Sequence, residues 1–189
     1  MKLLSGMNAL RIGFVVMIIG VAAIIFLAPS LKQDSGKEKA ENYTIKVEMG
    51  FDGEFPARYT CEGQNISPPV NFYGVPDKAE RTALIMEDPD APVKVFTHWV
   101  IWNIPADENL TADVPTRENL ENGMAQGTND FDRTGYGGPC PPSGTHTYRL
   151  TAYALDTRLA LEPGATKSEL KAAMEGHVLA SDTVRHDYG

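Results

Sequence analysis

Two stretches of the sequence, residues 82–86 and 96–104, are apolar at both odd and even positions over most of their length. Because successive side chains of a β-strand point to opposite faces, a strand of this kind is covered on both sides. Each stretch has the length of a strand and is shorter than most helices. The two stretches therefore predict the central strands of a β-sheet that carries other structure on both faces.

Three further segments predict strands around this centre. Residues 43–49 alternate between apolar and polar side chains, which is the period of a half-buried strand. Residues 70–73 follow two prolines as a short extended segment, and residues 146–155 have the composition of a longer strand.

One helix and one long irregular region complete the domain. Thr166 and Glu169 have the spacing of a capping box, and Gly176 follows as a stop signal. Residues 105–142 contain many Gly, Pro, Asn and Asp and show no sustained period. Long loops of this kind are uncommon in compact domains unless they serve a function, so we expect this region to form a functional surface. The domain is therefore predicted to be mainly β with a minor helix.

The beginning of the chain predicts the compartment. No residue from 12 to 31 is charged, and twenty helical residues rise about 30 Å, the thickness of the hydrocarbon core of a bilayer. Lys2 and Arg11 precede this run, which favours a cytoplasmic N-terminus and an extracytoplasmic domain in a single-pass cell-membrane protein. A cleaved signal peptide is the alternative, which predicts a secreted or periplasmic protein. The predicted parts are one N-terminal transmembrane helix as anchor, a polar linker and a folded domain, over residues 1–30, 31–41 and 42–189.

The charge of the domain limits its partners. Residues 42–189 contain 12 basic and 22 acidic residues, so the net charge of this part is −10. A body this acidic repels nucleic-acid backbones and anionic lipid surfaces at long range. We therefore expect no nucleic-acid binding, and any bound anion must lie in a local pocket.

Four polar side chains at the ends of predicted strands are candidates for such a pocket: Asp88, His98, His146 and Tyr148. Prolines near Asp88 restrict the backbone around it, and His146 and Tyr148 are two residues apart, so they point to the same face of their strand. If the strands are neighbours, the cluster offers N–H and O–H donors to an anionic oxygen. Asp88 then fixes an imidazole tautomer or pairs with a ligand ammonium. The alternative is that each histidine is a hydrogen-bonded residue at a sheet margin and that Asp88 caps a turn.

The chain contains two cysteines, Cys61 and Cys140. In an oxidising compartment an even pair predicts one disulfide, and two buried thiols are the alternative.

Several short motifs occur in one order along the domain. They are ALIMEDPDAP (83–92), THWV (97–100), NDF (129–131), GYGGPCPP (135–142) and the pair His146 and Tyr148. YTCEG (59–63), SPP (67–69), YALD (153–156) and GHVLA (176–180) accompany them. Together these motifs resemble the phosphatidylethanolamine-binding protein family, and more closely its prokaryotic branch labelled Raf kinase inhibitor-like, over about residues 43–181.

This resemblance implies a large antiparallel β-sheet packed with a smaller sheet, few short helices and a small anion-accepting cavity at one edge. It also implies a set of ligand-binding residues, namely Asp88, Pro92, His98, Pro142, His146 and Tyr148. The sequence departs from the family pattern at Thr147, where Arg is frequent, and at Asp132, where Gly is common. Pro142 and His146 are also closer together than usual, so the rim of the pocket is not carried over.

Three functions are compatible with these observations. The first is an exported, membrane-tethered, non-catalytic binding module whose pocket accepts a phosphate-like anion or a phospholipid head group. The second is an inhibitor or regulator of an extracytoplasmic protease or, by the resemblance, of a kinase. The third is a hydrolase that uses a metal or a His/Asp pair. No cofactor and no resident metal is predicted.

Overall fold

The computed structural model of the chain describes residues 42–189. In chain order the elements are β1 (Lys46–Met49), β2 (Val70–Tyr73), β3 (Arg81–Asp88), β4 (Phe96–Pro105), β5 (Ala125–Gln126), β6 (His146–Leu155), α1 (Lys167–Met174) and β7 (Val178–Tyr188). Single turns of 3-10 helix lie at Ala57–Tyr59 and Glu121–Gly123. Strands β5-β4-β3-β6-β7 form a five-stranded sheet and β1-β2 a two-stranded sheet, and every strand pair is antiparallel. The prediction of a large antiparallel sheet with a smaller sheet and few helices is confirmed.

The two central strands carry a core on each face. On β3, Leu84 and Met86 belong to a cluster that contains the side chains of β1 and β2, whereas Ala83 and Ile85 belong to a second cluster. The second cluster also contains Leu170 of α1. Both alternating sets of β3 are therefore covered, which is why this strand has no polar face in the sequence.

The capping box predicted for the helix is present. The Thr166 hydroxyl accepts from the Glu169 backbone N–H, and the Glu169 carboxylate accepts from the Thr166 backbone N–H. Leu170 and Met174 are buried against the sheet. The local sequence thus starts the helix, and these two apolar side chains fix the face that it buries.

The predicted anchor and linker, residues 1–41, lie outside the described residues. Within residues 42–189, no helix combines the length and the apolar character needed to span a bilayer.

A buried carboxylate connects α1 to the sheet. Glu87 on β3 is 6% exposed and accepts from Lys167 Nζ at 2.8 Å and from Arg149 Nη2 at 3.1 Å. Burial acts to raise the pKa of Glu87, but the hydrogen bond and charge of Lys167, with further help from Lys171 and Arg149, hold it below its ordinary value. Ionised Glu87 therefore contributes stability at neutral pH that is lost as the pH falls below about 4.5, its ordinary pKa.

We expect Glu87→Gln to lower the free energy of unfolding by about 2 kcal/mol at pH 7, because two cationic groups lose their carboxylate acceptor. Urea denaturation at pH 7 and at pH 3.5 measures the effect. The difference from the wild-type protein should shrink at the lower pH, which lies below the ordinary pKa of 4.5, because Glu87 of the unfolded wild-type chain is then protonated more readily than the folded one. Glu80→Gln is the matched control at an exposed glutamate. If Glu87→Gln lowers the free energy of unfolding equally at both pH values, this account is contradicted.

Candidate functional site

The end of the sheet opens where two neighbouring strands part. The β3–β6 ladder runs to Glu87↔Arg149 and stops, although β6 continues to His146 and stays paired with β7. Beyond that point β3 leads through Asp88 into the loop at residues 89–95, which returns to the start of β4. The gap between Asp88 and His146 is therefore bridged by side chains instead of a backbone ladder.

Asp88 is the residue that bridges this gap. Its Oδ2 accepts from His146 Nδ1 at 2.7 Å, and its Oδ1 accepts from the backbone N–H of Asp90 at 2.8 Å. Asp90 in turn accepts from the backbone N–H of Thr147 at 2.8 Å, so the loop is attached to β6 at two neighbouring residues, His146 and Thr147. Asp88 and His146 are 4% and 7% exposed. This arrangement fixes the His146 tautomer with its hydrogen on Nδ1.

His98 is held in a similar way by the backbone. Its Nδ1 donates to the carbonyl oxygen of Gly137 at 2.7 Å, and the ring is 3% exposed. Burial lowers the pKa of His98 below its ordinary value, against the opposing influence of nearby carbonyl and carboxylate oxygens. A Cβ at Gly137 would lie 2.6 Å from the Phe131 ring, so only glycine brings this carbonyl so close to the histidine.

Tyr148 lies behind the two histidines. Its ring packs edge-on against His98, with ring centroids 5.2 Å apart, and the residue is fully buried. The hydroxyl has no hydrogen-bond partner of good geometry among the described residues. Burial and the neighbouring Asp88 carboxylate raise the pKa of Tyr148, so the phenol stays neutral. A neutral hydroxyl can donate one hydrogen bond and can also accept one.

These residues surround a pocket of about 340 Å³. The residues that line it are Asp88, Ala91, Pro92, Val93, Lys94, Phe96, His98, Phe131, Cys140, Pro142 and His146. Most of this surface is apolar. Five of the six residues predicted to bind a ligand therefore contribute to one pocket, and the sixth, Tyr148, packs against the histidines without lining the surface.

The long irregular region supplies one wall. Asp130 accepts from Lys94 Nζ at 2.8 Å and from the Thr97 backbone N–H at 2.6 Å. These contacts hold Phe131 against Phe96, with ring centroids 4.7 Å apart. Sequence reasoning did not assign these two rings or Lys94 to the site, although Phe131 lies in one of the motifs that carry the family resemblance.

The second wall contains the disulfide. Cys61 and Cys140 are bonded, with their Cα atoms 5.4 Å apart, so the predicted bridge is confirmed and the alternative of two thiols is wrong. The Cys61 backbone N–H also donates to the Pro139 carbonyl at 3.0 Å. The bond therefore joins the segment that leads to Pro142, at the rim of the pocket, to a distant part of the chain.

Among the described residues, no group of three or more His, Cys, Asp or Glu side chains is arranged to hold a metal ion.

The fold and the pocket define a class: a two-sheet antiparallel β-domain with a small, mostly apolar cavity that contains two anchored imidazoles and a carboxylate. A family model described as phosphatidylethanolamine-binding protein matches residues 46–189. The chain belongs to the phosphatidylethanolamine-binding protein family.

Relatives and solved structures agree with this membership. A UPF0098 protein of Methanothermobacter thermautotrophicus is 58% identical over 128 residues, which cover 67% of this chain and 85% of that protein. A phosphatidylethanolamine-binding protein homologue from Chlamydia trachomatis superposes with a TM-score of 0.71 at 34% identity, covering 78% of this chain and 98% of that one. Escherichia coli YbcL, described as a new member of the mammalian family, gives a TM-score of 0.69 at 28% identity. This superposition covers 76% of the present chain and 97% of YbcL.

Proposed function

We propose that this protein is a non-catalytic binding module whose pocket accepts a phosphate-like anion or a phospholipid head group. The observation that carries the proposal is the pair of buried imidazoles at one pocket. His98 and His146 each use Nδ1 on a protein acceptor, and neither Nε2 has a hydrogen-bond partner among residues 42–189. Each imidazole is held in place through Nδ1 and keeps Nε2 available, so the two rings together can bind a small polar group.

The surroundings of the rings support a ligand with a polar head and an apolar part. The walls formed by Pro92, Phe96, Phe131 and Pro142 are apolar, and an apolar surrounding strengthens any hydrogen bond made to the histidines. Lys94 lies at the rim with most of its side chain exposed, and it adds positive charge to an otherwise acidic domain. A cavity of about 340 Å³ has room for a small phosphorylated molecule.

We further propose that the domain is exported and tethered by its N-terminal segment, on the basis of the apolar run over residues 12–31. The family name supports a phospholipid head group as one source of the ligand, and free phosphate esters are the other. The alternative function, inhibition of an extracytoplasmic protease or, by the family resemblance, of a kinase, stays a prediction from the sequence.

Titration of the purified full-length protein with sodium phosphate and with phosphoethanolamine tests the proposal. We expect saturable shifts of the His98 and His146 ring signals in NMR spectra, because both rings contact the ligand. The His177 ring, which bonds to Asp156 outside the pocket, is the internal control and should not respond. An absence of saturable shifts at millimolar ligand would contradict the proposal.

One observation favours a second candidate, a hydrolase. A carboxylate that orients an imidazole, with the opposite ring nitrogen facing a pocket, is the arrangement of a general base. A screen with phosphate and carboxylate esters tests it. Turnover that disappears in His146→Ala would support catalysis. If the protein binds phosphate but turns over none of the esters, the hydrolase is contradicted and the non-catalytic binding module stands.

A further inference from the structure

The domain contains copies of a modification motif that the binding pocket does not use. The pattern Asn-x-Ser or Asn-x-Thr, with x other than proline, is the acceptor sequence for N-linked glycans in exported proteins. It occurs three times in residues 42–189, as Asn42-Tyr43-Thr44, Asn65-Ile66-Ser67 and Asn109-Leu110-Thr111. A motif this short also occurs by chance, so the surroundings of each copy decide which of them a transferase can reach.

The copy at Asn109 is open to solvent at both of its defining side chains. Asn109 and Thr111 are exposed, in the irregular segment that follows β4. Asn109 Oδ1 accepts from the backbone N–H of Phe72 at 2.8 Å, and Nδ2 has no hydrogen-bond partner in the described part of the chain. Leu110 between them is buried and exchanges backbone hydrogen bonds with Val70. The amide is therefore held in place through its oxygen, and its nitrogen is available for reaction.

The copy at Asn42 lies at the start of the described domain, just before β1. Asn42 and Thr44 are both exposed, and neither belongs to a strand. Backbone outside a sheet and near the end of a domain adapts to the active site of an enzyme more easily than backbone within a ladder. This copy is therefore also accessible to a transferase.

The copy at Asn65 is blocked in the folded domain. Asn65 is half-buried, and its Oδ1 accepts from the backbone N–H of Gly138 at 2.8 Å. Ser67 is 2% exposed, and its hydroxyl accepts from the backbone N–H of Val114 at 2.9 Å. The hydroxyl that completes the motif is therefore buried and already bonded, so a transferase cannot recognise it.

We propose that Asn42 and Asn109 carry N-linked glycans and that Asn65 does not. The donor is an oligosaccharide joined through its anomeric carbon to a lipid phosphate, and the enzyme is a membrane-bound oligosaccharyltransferase. Nδ2 of the asparagine forms a bond to the anomeric carbon, and the bond from that carbon to the phosphate oxygen breaks. The lipid phosphate leaves with the electron pair of that bond, and Nδ2 loses one proton to a base of the transferase. This inference rests on the proposed export, because the transfer takes place on the outer side of the membrane.

The positions of the two acceptors leave the ligand pocket open. Asn109 is bonded to β2 and Asn42 precedes β1, so both belong to the surroundings of the two-stranded sheet. Neither residue lines the pocket, which lies at the ends of β3, β4 and β6. Glycans at these two positions are therefore compatible with the proposed binding module.

Mass spectrometry of the full-length protein and of its glycopeptides, purified from the membranes of the organism that encodes it, measures the occupancy of each site. We expect two glycans on the wild-type protein. Thr111→Val removes the hydroxyl of the motif and keeps Asn109 with its bond to Phe72, so the glycan at Asn109 should be lost while the fold is retained. Thr44→Val should abolish the glycan at Asn42 in the same way. Thr116→Val, at an exposed threonine outside any copy of the motif, is the matched control and should keep both glycans.

Trypsin added to cells whose wall has been removed distinguishes a failure of this inference from a failure of export, because residues 31–41 contain three lysines at which it can cut. If trypsin releases the domain but Asn42 or Asn109 is unmodified, or Asn65 carries a glycan, the inference is overturned and export stands. If the domain is protected from trypsin and carries no glycan, both the export and this inference are overturned.

Discussion

Replacing Cys61 and Cys140 together with serine is expected to lower the free energy of unfolding by about 4 kcal/mol. The two residues are 79 positions apart, so the bond closes a long loop and removes many conformations from the unfolded chain. Denaturation with guanidinium, followed by tryptophan fluorescence, measures the difference.

The folded state should survive this double substitution. Tyr136 Oη donates to the Tyr59 carbonyl at 2.6 Å and the Gly138 backbone N–H donates to Asn65 Oδ1 at 2.8 Å, so the same two segments stay in contact without the bond. The wild-type protein measured in a thiol reductant is the control and should match the variant. A difference below about 1 kcal/mol between oxidised wild-type protein and the variant would contradict the loop-closure explanation.

His146→Ala is expected to weaken phosphate binding about 100-fold, since the substitution removes a ligand contact and leaves the buried Asp88 carboxylate without its partner. Calorimetric titration with phosphate gives the affinity, and the unfolding midpoint in the same buffer shows whether the domain still folds. The effect should exceed that of any substitution outside the pocket.

Two further variants make this expectation specific. Asp88→Asn keeps an oxygen that can accept from His146 Nδ1, so this variant should lose less affinity for phosphate than His146→Ala does. His177→Ala removes an exposed histidine outside the pocket and should bind phosphate as the wild-type protein does. Comparable affinity in His146→Ala and His177→Ala would remove His146 from the binding site.

Much of the fold was predictable because its signals are local. The runs at residues 82–86 and 96–104 indicated strands buried on both faces, and Thr166 with Glu169 marked the start of the helix. The convergence of Asp88, His98 and His146 was predicted from positions at strand ends combined with the family resemblance. For the strands and the helix, neighbouring residues in the sequence determine the local structure, and a simple period or spacing carries the information. The convergence of the three distant site residues needed the family resemblance as well.

The rest depends on contacts between distant segments. Strand β7 was not recognised from its sequence pattern because none of its residues is fully buried. Asp182 and His186 also interrupt the apolar side chains of the face that packs on the core, namely Ala180, Val184 and Tyr188. The role of Gly137 depends on a carbonyl that reaches a ring 39 residues away, and no local pattern encodes that contact. The burial of Tyr148 behind the histidines follows from packing against His98 on a different strand. The sequence therefore indicated the face of β6 from which Tyr148 projects, but not how deeply its side chain is buried.

A crystal structure of the protein grown with saturating phosphate or phosphoethanolamine tests the central claim most directly. The account predicts density for the phosphoryl group inside the pocket, within hydrogen-bond distance of Nε2 of both His98 and His146, with the Asp88–His146 contact retained. A pocket without ligand at saturating concentration, or a phosphoryl group bound only elsewhere on the domain, would contradict it.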